Sequence, residues 1–159
     1  MKQKYWVDNH NLSEHKIRVA IESISDFPKN CIGFIYLISF MDGTKYIGKK
    51  NLYTTSKLKA LKSGIQRPNS ERVYKNTGNK SRIAYDVVKK ESNWKTYQGS
   101  SKYCKNKEST LSGLILDYAY STRELTYLET KYLFKYNVLE DDSFLNENIL
   151  GKFYKGNIK

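Results

Sequence analysis

Phenols, one helix-borne carboxylate and a dense run of cations are the side chains here that could act on a phosphodiester. Hydrolysing that bond needs an in-line nucleophile, charge stabilisation at phosphorus and help for the leaving oxygen. A single divalent metal on one carboxylate and waters supplies the last two. Glu129 is the carboxylate best placed for this. It follows a capping-box pattern, Ser121-Thr122-Arg123-Glu124. It also borders the apolar face formed by Leu125, Leu128, Tyr132 and Tyr136, with Leu133 close by. A carboxylate there can point toward a sheet edge, or it can stay on the surface and pair with Lys131 or Lys135. Its competitors, Glu124 and Glu140, sit at the helix ends. Of the 14 tyrosines, Tyr36 and Tyr46 lie on two neighbouring β-rich stretches and could face one site. A phenol has a pKa near 10, so base chemistry at neutral pH needs a nearby cation. Lys50 is the first candidate and Lys49 the second. His10 and His15 are the only histidines, so a histidine-based site is not expected.

The tyrosines need a scaffold, and the stretch 33–50 supplies one. Gly33-Phe34-Ile35-Tyr36-Leu37-Ile38-Ser39-Phe40 and Thr44-Lys45-Tyr46-Ile47-Gly48-Lys49-Lys50 are β-rich arms around Met41-Asp42-Gly43. A two-residue Asp-Gly turn would put Tyr36 and Tyr46 on opposite faces, because a one-residue shift flips every side chain. A three-residue loop pairs Phe40 with Thr44 and Ile38 with Tyr46. Tyr36, Ile38, Tyr46, Gly48 and Lys50 then share a face, with Gly43 at the left-handed position. The three-residue loop is therefore predicted.

Length and charge bound the partners. The 159 residues suit one domain with a modest core, here read as 1–159 with an extension over 1–30 and a basic arm over 51–91. No apolar run is long enough to span a membrane, and the first residues carry no apolar leader, so a non-secreted protein is expected. Cys31 and Cys104 are too few and too isolated for a zinc site or disulfide framework and read as reduced thiols. The net charge of +12 points to a polyanion, nucleic acid before an anionic membrane surface. From Lys49 to Lys107 sixteen Lys/Arg face three acids, Glu71, Asp86 and Glu91. A charge gathered in one segment resembles a phosphate track more than a solubilising surface.

Residues 1–12 read as irregular. A short helix from Ser13 to about Ser25 is expected, with a strand at Ile17–Ile21 as the alternative. Residues 51–91 lack strong periodicity and read as a flexible basic arm that orders on DNA, or as a solvated insertion. Ser56 to Lys62 offers an amphipathic turn. Leu111–Ala119 reads as the third strand, central or at an edge. The capped helix is predicted to run to about Asn137, and Phe144–Leu150 is a short closing segment.

Phe34-Ile35-Tyr36 and Tyr46-Ile47-Gly48, on two arms of one hairpin, resemble the paired triplets of the GIY-YIG nucleases. Trp94-Lys95-Thr96-Tyr97-Gln98-Gly99-Ser100-Ser101 is similar to a segment of the small Seg-type endonucleases of T-even-like phages. With Glu129 and Asn146 the resemblance covers about residues 31–154, with gaps through the arm. It implies that Tyr36 acts on the attacking water, as base or orienting partner, and that Tyr46 positions water or phosphate. It implies that Glu129 holds Mg²⁺ or Mn²⁺ and that Asn146 braces the site, with Asn148 its rival. Gly48 would admit the phosphate close to the backbone. The chain departs from the family in two places. Phe34 replaces the first glycine, and no arginine follows the second triplet closely, where only Lys57, Lys59 and Lys62 occur. Arg82 is chosen over Arg67 and Arg72 because it opens the most ordered-looking part of the arm.

DNA contacts are expected from Gly48, Lys49, Lys57, Lys59, Lys62, Arg67, Arg72, Lys102, and from the 94–101 segment. There Trp94 and Tyr97 could stack on bases, or both rings could be core. Ser100 and Ser101 could cap a short helix against a phosphate. Only thirteen residues follow Asn146, too few to fold alone. Recognition is therefore expected to use the arm, the 94–101 segment, or a dimer or partner chain. The expected fold is α/β (α+β): a small, mostly antiparallel three-stranded sheet flanked by helices, with a long basic insertion. The expected function is a metal-dependent endonuclease on double-stranded DNA, phage-encoded and working in the host cytoplasm. The alternatives are an inactive nucleic-acid-binding module and a phage protein that binds an acidic partner.

Overall fold

The computed structural model describes residues 5–8, 19–62, 64–78, 81–105, 107 and 109–157. The chain divides into two compact units, one built from residues up to Leu52 and from Asn93 onward, the other from Tyr53–Ser92.

The first unit holds a five-stranded sheet. Its strands are β1 (Tyr5–Asp8), β2 (Val19–Ile21), β3 (Gly33–Phe40), β4 (Lys45–Asn51) and, after the second unit, β8 (Ser109–Ala119). Their spatial order is β2-β1-β8-β3-β4. All pairs are antiparallel except β1 with β8. The predicted three strands are therefore five. Residues 5–8 are strand rather than irregular, and 19–21 are strand rather than helix. The start of the helix expected at Ser13, like both histidines, lies outside the described residues. The cause of the miss at β1 is that its hydrogen-bonding partners are the short β2 and β8, far along the chain. Trp6 then lies over Gly113, where a Cβ would come within 2.4 Å of the indole, and its Nε1 donates to the Trp94 carbonyl at 2.8 Å.

Strand parity gives the sheet two unlike faces. Ile35 and Ile47 point to an aliphatic layer with Leu125, Leu128, Leu133, Val138, Leu139, Phe144 and Ile149. The helix α2 (Thr122–Lys135) contributes much of that layer. Its start is fixed as the sequence suggested. Ser121 Oγ accepts from Glu124 N at 3.1 Å, and Glu124 Oε2 accepts from Tyr120 N at 2.7 Å. The opposite face is aromatic. Phe34 and Tyr36 pack there with Trp6, and Phe27 stacks on Phe34 and meets Trp94 edge to face.

The second unit is a three-stranded antiparallel sheet of β5 (Tyr53–Lys59), β6 (Ser70–Thr77) and β7 (Ser81–Glu91), with β7 in the centre. The stretch expected to be a flexible arm, including the turn at Ser56–Lys62, is mostly strand. Thr, Tyr, Val and Ile favour a pleated surface. Apolar residues lie on both faces, Val73, Ile83, Tyr85 and Val87 on one and Leu58, Tyr74, Ala84 and Val88 on the other, so no clean alternation marks the strands. The short α1 (Lys102–Lys105) precedes β8 in the first unit. The pairs β9 (Asn148–Ile149) and β10 (Phe153–Tyr154) close that unit. No helix among the described residues is long and apolar enough to cross a membrane.

Candidate active site

The hairpin sets the geometry. Phe40 N donates to Thr44 O at 2.8 Å, and Gly43 N donates to Phe40 O at 3.0 Å. Gly43 has φ +84°, the left-handed conformation that closes a three-residue loop. Asp42 Oδ1 accepts from Thr44 N at 3.0 Å and from Thr44 Oγ1 at 2.6 Å, and Lys107 pairs with Asp42. These contacts hold the Asp42 carboxyl down at about 2. Ile38 then faces Tyr46, and Tyr36 faces Gly48, as the three-residue loop requires.

Tyr36 and Tyr46 share a face, with ring centroids 6.3 Å apart. They are not equivalent. Tyr36 is 1 % exposed and wedged beside Tyr97 at 6.0 Å. Its hydroxyl occupies the space over Gly48, where a Cβ would lie 2.5 Å away. Gly48 therefore has to be glycine to admit the Tyr36 phenol, a packing reason beside its expected role of receiving phosphate. Burial pushes the Tyr36 phenol well above its ordinary pKa. Tyr46 lies farther out and hydrogen-bonds Ser100 Oγ at 3.1 Å. Burial raises it to about 12 against the opposing pull of that hydrogen bond.

Tyr46 lines a cavity of about 620 Å³ that wraps the outer edge of β4. Lys49, Ser100, Lys102, Glu129, Asn146 and Glu147 also line it. Glu129, with its side chain 22 % exposed, is 3.0 Å from Lys49 Nζ. Lys49 also donates to Thr126 Oγ1 at 3.0 Å, so α2 and β4 are tied at this point. The segment after α2 runs along β4. Lys45 N donates to Ser143 O, and Leu145 N to Lys45 O, each at 2.8 Å. Asn146 continues that ladder with its side chain: Oδ1 accepts from Ile47 N at 3.0 Å, and Nδ2 donates to Ile47 O at 2.8 Å. One amide thereby satisfies both backbone groups of an edge strand.

The chain matches the family model described as "Putative endonuclease segE, GIY-YIG domain" over residues 19–149. It belongs to the GIY-YIG family. No curated protein and no solved structure gives a significant match.

Within this GIY-YIG domain the expected residues divide. Tyr46, Lys49, Ser100, Ser101, Lys102, Glu129 and Asn146 come together around one cavity. Asn146 holds the strand; its rival Asn148 lines the same cavity, and its Oδ1 accepts from Gly151 N at 2.8 Å in the closing turn. Lys50 does not serve Tyr36. Its Nζ donates to Asn93 Oδ1 at 2.7 Å and lies 3.9 Å from the Tyr97 ring centre, and burial lowers its pKa. Trp94 is fully buried, so it is core and cannot stack on a base. Ser101 caps α1, its Oγ accepting from Tyr103 N at 3.2 Å.

Other expected residues lie in the second unit. Lys57, Lys59 and Lys62 are exposed there. Arg67 and Arg72, expected as DNA contacts, pair here with Asp86, at 3.6 and 3.0 Å. Arg82 belongs to β7, opposite Asn76, and its side chain lies outside the description. Among the described residues lining the cavity there is no arginine. The sequence reading missed Glu147, whose only signal is its place beside Asn146 in the segment that follows β4.

Proposed function

We propose that this protein is a metal-dependent DNA endonuclease that hydrolyses phosphodiester bonds in the cavity beside β4. The observation that carries the reading is that Tyr46, Lys49 and Glu129 line one cavity in a GIY-YIG chain. The carboxylates lining the cavity, Glu129 and Glu147, suit Mg²⁺ or Mn²⁺, which take one or two carboxylates and keep several waters. Glu129 would hold the ion, and when bound it would stabilise charge on the phosphate and the leaving oxygen.

The chain's own groups do the positioning. A phenol raised to about 12 is protonated at neutral pH, so Tyr46 orients water or a phosphate oxygen as a hydrogen-bond donor rather than removing a proton. Ser100 fixes the direction of that hydroxyl. Tyr36 supports the Tyr46 ring from below. Lys49 and Lys102 supply positive charge in the cavity, as point charges rather than bidentate forks. The resemblance to Seg-type endonucleases supports phage origin, action in a host cytoplasm and 5′-phosphate products.

Plasmid cleavage with Mg²⁺ tests this. Glu129→Gln should abolish cleavage and leave DNA affinity near that of wild type, because it removes one metal-binding charge and no basic surface. Cleavage that survives both a chelator and this substitution would take the metal out of the mechanism. The absence of arginine from the described lining favours a second reading, an inactive nucleic-acid-binding module. Binding without any cleavage by the wild type would select it.

A further inference from the structure

The second unit's sheet holds a buried charge cluster on one face, with Leu58 and Tyr74 exposed around it, and presents a lysine-lined face on the other. Register defines both. Leu58, Asp86 and Arg72 stand in one row. There Asp86 takes Arg72 and Arg67, and Arg72 also donates to the Ile65 carbonyl at 2.6 Å. The 60–69 loop is thereby fastened to that face. The neighbouring rows point the other way: Thr55 with Lys89, Lys57 with Val87 and Glu71, Lys59 with Tyr85 and Val73, and Ile83 with Lys75. Lys57, Lys59, Lys75 and Lys89 are exposed, and Val73 and Ile83 keep 40 % and 41 % of their surface. A shallow cavity of about 380 Å³ lies among Lys57, Val73, Lys75, Tyr85 and Val87.

We propose that this lysine-lined face seats in the major groove of duplex DNA. The lysines of β5 and β6 would contact the two phosphate rows, and the apolar stripe of β7 would face the base edges. The inference rests on the nuclease reading and names where that nuclease grips its substrate. Charge and dimension argue for it. Strands lie about 4.8 Å apart, so the outer strands are roughly 10 Å apart, against a major groove about 12 Å wide. Lysine heads on β5 and β6 therefore flank the groove while Ile83, Tyr85 and Val87 lie between them. Apolar side chains suit contact with thymine methyl groups. A single-strand platform would need successive aromatic rings free to stack; among the described residues this face carries Tyr85, flanked by Lys59 and Val73, and Tyr53, whose ring is covered by Lys89 at 4.0 Å.

Affinity of the full chain carrying Glu129→Gln, measured in chelator on a mixed-sequence 20-base-pair duplex, tests the assignment. The triple change Lys57→Gln, Lys59→Gln and Lys75→Gln should weaken binding at least roughly tenfold. It should lower the slope of log K against log salt by about 2.7, at about 0.9 per phosphate contact. Glu71→Gln should strengthen binding, a gain that misfolding cannot mimic. Lys90→Gln, in the row of the other face, should change affinity less than twofold. Dimethyl sulfate should find guanine N7 protected and adenine N3 reactive. An unchanged salt slope, protection at adenine N3 alone, or tighter lysine-dependent binding to single strands would overturn the proposal. If the wild type cleaves and the lysine changes leave binding intact, this inference falls alone. If the lysines matter and nothing is cleaved, the nuclease reading falls alone.

Discussion

The first unit buries rings and aliphatic chains; the second buries a carboxylate. Trp6, Phe34, Tyr36, Ile35, Ile47 and Trp94 are all within 1 % of full burial in the first unit. In the second, Asp86 is the only fully buried residue among those described. Small sheets without a covering layer are marginal in water. This one replaces apolar burial with a charged hub that ties β6, β7 and the 60–69 loop together. The arrangement leaves the other face free to carry lysines. A layered core gives the first unit fixed side-chain positions, as chemistry demands. An uncovered sheet gives the second unit surface, as binding demands.

Breaking the hub should have the largest effect. Asp86→Ala leaves Arg67 and Arg72 without their partner, and the second unit should lose its sheet while the first keeps its own. Amide spectra should show the signals of 53–92 collapsing while those of β3, β4 and β8 persist, with DNA affinity falling alongside. Acid should do the same reversibly. Hydrogen bonding from Arg72, then its charge, depresses the Asp86 carboxyl below its ordinary value. Its contribution is therefore present above about pH 4 and is lost as pH falls through the depressed value. Melting of both units together at every pH would erase the contrast.

Tyr46→Phe should lower the cleavage rate by about 10² with little change in DNA affinity, the usual order for losing one positioned donor. A rate within threefold of wild type would remove the hydroxyl from the proposed chemistry.

How much of this could be read from the sequence varies with the distance over which the signal acts. The hairpin was legible because turn length and strand parity are local. Met41-Asp42-Gly43 fixes the loop, and the loop fixes which tyrosines face each other. The α2 start was legible for the same reason, since Ser121 and Glu124 lie within one turn. β1 was not, because Tyr5–Asp8 is a strand by virtue of the short β2 and of β8, far along the chain. Trp94 suited a stacking surface and a core equally well by type. The second unit was hidden because its apolar residues lie on both faces. Ala84 and Val88 blur the alternation of Ile83, Tyr85 and Val87 with Arg82 and Asp86, and the lysines beside the apolar residues read as solvated arm. The cavity needed Asn146 and Glu129 to meet β4 from a distant part of the chain, which the family resemblance implied and periodicity did not.

Asn146→Ala removes both side-chain hydrogen bonds to Ile47 and should cost about 2 kcal/mol, near 1 kcal/mol for each bond lost. The edge of β4 would loosen and cleavage fall with it. A thermal midpoint unchanged from wild type would mean that water replaces the amide without loss.

The smallest effect is expected at Tyr36, and it sharpens the comparison inside the first unit. Tyr36 and Tyr46 come from matching triplets and share a face, yet only Tyr46 lines the cavity. The Tyr36 hydroxyl lies over Gly48 beside the Tyr46 ring, so its deletion leaves the ring packing in place. Tyr36→Phe should cost about 1 kcal/mol of stability, as for one buried hydrogen bond, and should slow cleavage only a few-fold. Rates for the two Phe variants, measured side by side at saturating DNA, separate the roles. A loss at Tyr36 equal to that at Tyr46, with folding intact, would show that the deeper hydroxyl reaches the reacting phosphate. It would also show that the cavity opens toward Tyr36 once DNA is bound.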